Sequence, residues 1–259
     1  MSLAGELGIR LAYLKGRRAN NDSTWQEIND LMQPFRGDIT TKRAPGSKRI
    51  GAVFDTTAMG AADTFVNFLK SAVLPSSTDW LRITARGAEH NQIARAMLDD
   101  ASIKILQALS ESNFYVQATN ALRDFAILGN STLYVEESTP ALSEDGSTFS
   151  GLFFEAVPIE NMWWMLGKGQ YVVMAVREME LPASDAYTYF GGMPGPAAQE
   201  ALAGGNPMEL ITYHNFVFPT GDSSPVNSPV ETKKKYASVY VCESSKTVVK
   251  EGGYDFVIC

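Results

Sequence analysis

The stretch Asn113–Glu137, NFYVQATNALRDFAILGNSTLYVEE, decides the fold. Asn113 is of the type that caps a helix by accepting a backbone N–H. Val116, Thr119, Leu122, Phe125 and Ala126 then recur at helical spacing. Gly129 stands where a left-handed C-terminal residue goes, and Ser131 to Val135 is a short β-rich run. A helix, a glycine stop and a buried strand are expected in that order. Nothing in the stretch forms a catalytic constellation.

Upstream, residues 3–33 read as helix, broken or kinked near Gly16, with Leu3, Leu7, Leu11 and Leu14 on one side. Thr24 is expected to cap a second piece carrying Trp25, Ile28, Leu31 and Met32. Pro34 ends it, because the residue before proline avoids the helical region. Residues 36–52 are polar, basic and rich in turn formers, which predicts a loop. Asp55 is placed to cap a helix whose Ala58, Ala61, Ala62, Phe65, Phe68, Leu69 and Val73 form one apolar stripe, and whose small residues suit close helix packing. Residues 78–84 (TDWLRIT) read as a short strand. Residues 88–111 read as a helix with Ile93, Met97, Ala101, Ile105 and Leu109 every four residues.

Downstream the pattern turns to strands: residues 152–159, 161–166 and 171–181, the last two joined by the turn LGKGQ. A short helix is expected over Pro182–Phe190 and an Ala-rich helical turn within residues 191–207. A strand follows at 208–219, a flexible loop at 220–235, and a hairpin at 236–252. YDFVIC (254–259) begins a further element. Helices followed by strands predict an α+β fold with an antiparallel sheet, not alternating βαβ units. The elements divide by type into a mainly helical region, 1–130, and a β-rich region, 131–259.

Composition narrows the function. The 259 residues are 45% hydrophobic and 20% charged, enough to bury a core. There is no apolar run long enough to span a membrane and no signal-peptide core. Two cysteines, Cys242 and Cys259, make no disulfide framework. His90 and His214 have no cysteine partners nearby, so no metal or cofactor is expected. The net charge is −7. A chain that grips DNA usually carries a basic surplus, because affinity comes from Lys and Arg neutralising phosphates. Tight DNA binding is therefore not expected; DNA passing nearby is compatible.

The local motifs have plain readings. Arg36-Gly37-Asp38 is a tripeptide that recurs by chance. Gly167-Lys168-Gly169 lies between strands, whereas a phosphate loop needs a longer glycine frame feeding a helix. Asp99, Asp100, Glu136 and Glu137 read as solvated faces. No Gly-x-Ser-x-Gly or HExxH pattern occurs. The basic stretch with Arg36, Lys42, Arg43, Lys48 and Arg49 is a solvated loop or a contact with a neighbouring subunit or DNA. Trp163 and Trp164 are adjacent and face opposite sides of a strand. One fills the core; the other is a subunit-interface candidate, since tryptophan is enriched there.

Several segments, in order, resemble the portal, or head-to-tail connector, proteins of short-tailed (T7-like) bacteriophages. WQEINDLMQP (25–34) is similar to their early helix end, and LKSAVLPSSTDWLRIT (69–84) to a helix, Leu-Pro, Trp-Leu-Arg succession. The helix–glycine–strand block of 113–137 follows. AVPIENMWWMLGKGQYVVMAVREMEL (156–181), LITYHNFVFP (210–219) and EGGYDFVIC (251–259) resemble later strands. The resemblance implies N-terminal helices packed against an antiparallel β-rich wing domain. It implies a homo-oligomeric ring, a dodecamer, at one capsid vertex, assembled in the host cytoplasm and carried in the virion. Terminase, capsid or scaffold and tail-adaptor proteins are the implied partners, with double-stranded DNA passing through. Family members continue into stem helices and a clip, and this chain stops before them. The competing classes are another virion or tail-adaptor protein and an α+β enzyme whose site is not visible in sequence. A cluster of perturbed carboxylates in a deep pocket favours the enzyme.

Overall fold

The computed structural model describes residues 2–36, 38–40, 55–75, 78–85, 91–137, 151–230 and 232–255. The described chain is α+β, and all its strands pair antiparallel. It forms two compact units, Met1–Asp22 with Asn161–Cys259, and Ser23–Glu160. The division at residue 130 sorts elements by type, whereas these units sort them by what they pack on.

The first, sheet unit is built on a five-stranded meander. Its strands are β3 (Met162–Leu166), β4 (Val172–Pro182), β5 (Leu210–Pro219), β6 (Tyr236–Cys242) and β7 (Thr247–Tyr254), adjacent in that order. Strand alternation gives the sheet two faces. On one face the cross-strand pairs Trp163–Val176, Phe216–Val239 and Phe218–Ala237 meet Leu7, Leu11 and Leu14 of helix α1 (Leu3–Met32). On the other, Ile211, Tyr213, Tyr240 and Cys242 pack on α5 (Ala183–Tyr189) and α6 (Pro196–Ala203). The Phe190 ring lies tilted against Tyr213, centroids 4.8 Å apart, and the Tyr213 hydroxyl donates to the Pro194 carbonyl at 2.7 Å. Burial of that phenol, with Cys242 beside it, pushes the Tyr213 pKa up to about 12. Gly195 enters α6 at φ +87, and a Cβ there would meet Val249 at 3.1 Å.

The second, helical unit holds the rest of α1 with α2 (Thr57–Val73), α3 (Gln92–Glu111), α4 (Phe114–Leu128) and the ribbon β1 (Thr132–Glu137) and β2 (Leu152–Val157). Gly129 closes α4 in the left-handed conformation, φ 76, with its N–H on the Phe125 carbonyl. Trp80, Phe114, Phe154 and Leu109 form its core, with the Trp80 and Phe114 rings 6.0 Å apart.

Several expectations change. Helix α1 is continuous through Gly16, because one glycine costs about 1 kcal/mol and Leu14 and Trp25 on either side are both buried. The inner side of its second half is Trp25, Gln26, Asn29 and Gln33, while Leu31 is exposed. Gln26 is retained inside because its Oε1 accepts the N–H groups of Ile39 and Thr40 at 2.8 and 2.9 Å. Residues 78–84 form no strand: the Ile83 N–H goes to the Ser102 hydroxyl instead of a ladder. Asn113 occupies the cap position without capping, since its side chain is used elsewhere. The Asp55 carboxylate accepts the Thr57 N–H at 2.9 Å, and Thr56 holds the cap position. His90, Cys259, Lys42, Arg43, Lys48 and Arg49 lie outside the described residues.

Candidate assembly interface

Of the sequence-selected residues, Arg36 is tied inside the helical unit. Its two terminal nitrogens reach Asp124 at 2.7 Å and Glu160 at 3.0 Å. The three side chains are each less than a fifth exposed. Burial raises the Asp124 pKa despite the opposing pull of Arg36, with the neighbouring Glu160 charge adding to the rise. Arg36 thus joins the segment after α1 to α4 and to the 3-10 turn Ile159–Asn161 that follows β2.

Trp163 fills the core of the sheet unit, 5% exposed. Cations from α1 lie over its ring, the Arg18 guanidinium at 4.4 Å and the Lys15 ammonium at 4.9 Å. Arg18 also donates to the Met162 carbonyl at 2.7 Å. Lys15 reaches Glu178 at 3.4 Å, and Glu178 pairs with the buried His214 at 3.1 Å. The hydrogen bond from His214, with Lys15 assisting, lowers the Glu178 pKa. The chain of contacts fastens α1 to β3, β4 and β5. Trp164 points to the opposite face of the sheet and is half-buried.

At the other end of α1, Glu6 accepts the N–H groups of Asn227 and Ser228 at 2.9 and 3.1 Å. The Asn227 bond chiefly holds its pKa down to about 2. In the helical unit, α4 completes the ribbon's free edge. Asn113 donates to the Phe154 carbonyl at 2.8 Å and accepts the Phe154 N–H at 2.9 Å, as a neighbouring strand would. Gln117, one turn on, accepts the Ala156 N–H at 3.0 Å.

Two of the carboxylates noted in the sequence have ion-pair partners: Asp99 with Arg82 at 2.9 Å and Asp100 with Lys104 at 2.7 Å. Among the described residues no three His, Cys, Asp or Glu side chains come together as metal ligands. No described helix is long and apolar enough to cross a membrane.

The strongest surface feature was not singled out in the sequence. Helix α2 turns Ala62 and Val66 inward, toward its packing on α4. Ala58, Ala61, Phe65 and Phe68, expected on the same buried stripe, face solvent. Phe65 is 49% and Phe68 64% exposed. The cause is geometric: these apolar positions cover about half the helix circumference, and one packed neighbour covers less. On α3, Ser102 and Leu109 are inside, while Ile93 and Met97 are 75% and 69% exposed and Ile105 is partly exposed. On α4, the inner side is Phe114, Ala118, Asp124 and Leu128, leaving Val116 and Phe125 outside.

Among the described residues these contacts brace the two units internally. Comparison with individual curated proteins returned no match. The family model described as bacteriophage head to tail connecting protein matches residues 4–257. Connectors of this kind are structural parts of the virion, joining head to tail. With nearly every residue inside that match, the chain belongs to the bacteriophage head-to-tail connecting protein family.

Proposed function

We propose that the chain is the subunit of a closed homo-oligomeric ring at one capsid vertex, through which DNA enters during packaging and leaves at ejection. The observation that carries this reading is the family match along residues 4–257. A ring needs each subunit to present two different complementary faces, and exposed apolar helix faces of the kind seen on α2 and α3 supply material for them. Twelve copies is the number the resemblance implies. The net charge of −7 suits a conduit, because each strong phosphate contact is a barrier to sliding. The ring breaks no covalent bond. A separate ATP-hydrolysing terminase drives packaging, and capsid or scaffold and tail-adaptor proteins contact the ring's outer surfaces.

Native mass spectrometry and negative-stain microscopy of the full-length protein test this reading. A single closed stoichiometry is expected; a monomer at micromolar concentration, with no ring on addition of scaffold, refutes it. Purified protein is expected to show no ATP turnover above an α2 surface-variant control. The basic segment and Trp164 are the further interface candidates. Replacing Lys42, Arg43, Lys48 and Arg49 by glutamine is expected to weaken assembly more than DNA binding. Intact rings with a large loss of DNA affinity would contradict that assignment.

A further inference from the structure

We infer that the outward stripe of α2 in one copy docks on the outward stripe of α3 in the next copy around the ring. The inference rests on the ring reading and adds which surfaces meet. The solvent side of α2 places Ala58, Ala61, Phe65, Phe68 and Ala72 at alternating spacings of three and four residues. That is the seam a second helix fills, knobs into holes, and not the shape of a small-molecule pocket. The exposed side of α3 repeats the same spacing at Ile93, Ala96, Asp100 and Ile103, with Met97 beside it. Asp100 there pairs with Lys104 one turn on, at 2.7 Å.

Extent favours a macromolecular occupant. At roughly 200 Å² for each aromatic side chain, Phe65 and Phe68 alone leave roughly 220 Å² in water at their exposures of 49% and 64%. With the flanking alanines and Val73, the stripe rivals the largest apolar patch of an ordinary monomer, about 300–600 Å². It also approaches the apolar share, roughly 450 Å², of one side of a standard interface.

A second copy is the occupant because one unit carries both seams and they differ. The α2 seam presents two phenyl rings after two alanines; the α3 seam presents aliphatic side chains around Ala96. Such unlike, helix-length stripes on one chain pair head to tail, and a closed ring then leaves neither uncovered. A foreign partner on α2 leaves α3 in water.

Phe68→Asp and Ile93→Asp test it in the full-length protein. Both residues are exposed, so each variant is expected to melt within about 2 °C of the unassembled wild type. Each alone is expected to weaken ring formation at least tenfold in sedimentation velocity. An equimolar mixture is expected to form dimers, because one variant keeps an intact α3 seam and the other an intact α2 seam. Wild-type-like rings from either variant overturn the inference while leaving the ring reading in place. Dimers of Ile93→Asp alone point to α2 pairing with α2 and overturn it as well. Rings of neither wild type nor variant bring down both readings together.

Discussion

On β5 of the sheet unit, Tyr213, Phe216 and Phe218 are all essentially buried, while on α2 of the helical unit about half of Phe65 and more of Phe68 lie in water. Both elements are apolar, yet they are treated differently. A central strand has a neighbour on each edge, β4 and β6, and helices over its two faces. A helix in a three-helix arrangement hides one side only. The sheet unit encloses these three aromatics, whereas the helical unit leaves the two phenyl rings of α2 exposed.

Substitutions can break or sharpen that contrast. Phe216→Ala removes a buried aromatic from the sheet unit and is expected to cost about 4 kcal/mol in urea unfolding. An effect near the surface-residue level removes the claim of a closed core. Arg36→Ala is expected to cost about 3 kcal/mol, because Asp124 and Glu160 lose their shared cation while remaining largely enclosed. Asp124→Asn is expected to cost under about 1 kcal/mol, since burial already disfavours the ionised form. Equal losses from the two variants show that the carboxylate, not the arginine, holds that joint. Asn113→Ala leaves the N–H and carbonyl of Phe154 unsatisfied and is expected to cost about 2 kcal/mol. Faster amide exchange at Phe154, with β6 unchanged, is the local readout.

Smaller still is Glu6→Gln, about 1 kcal/mol after allowance for solvent screening. Glu6 has its folded pKa depressed to about 2 from 4.5. Its contribution is therefore complete above pH 4.5 and is lost as pH falls through 2. Acid titration of the variant should be flatter over that interval; a parallel curve shows that Glu6 does not link α1 to the Asn227 loop. Smallest for the isolated chain is Phe68→Ser, within about 0.5 kcal/mol. A large loss there places Phe68 in a core and cancels the contrast.

Strand positions were largely legible because alternation has a strict period of two: β3 to β7 lie within a few residues of their expected spans. Helix positions were legible for the same reason, but helix orientation was not. The stripe Val116, Thr119, Leu122, Phe125 and Ala126 is apolar, yet α4 buries Phe114, Ala118 and Leu128 and sends Phe125 outward. Spacing alone does not say which of two adjacent apolar stripes has a neighbour. Nor does it say that Asn113, placed at a helix start, will spend its amide on β2 forty residues away. Trp163 and Trp164 were legible as an inside–outside pair; that Arg18 and Lys15 sit over the inner ring was not.

Local spacing, caps and turn residues by themselves determined the elements, their order, the α+β class and the resemblance to phage connectors, because each depends on neighbours a few residues apart. Which apolar faces close and which stay open was decided only by the tertiary structure. Burial is a property of what arrives from far along the chain, and among the described residues α2 packs its inner side on α4.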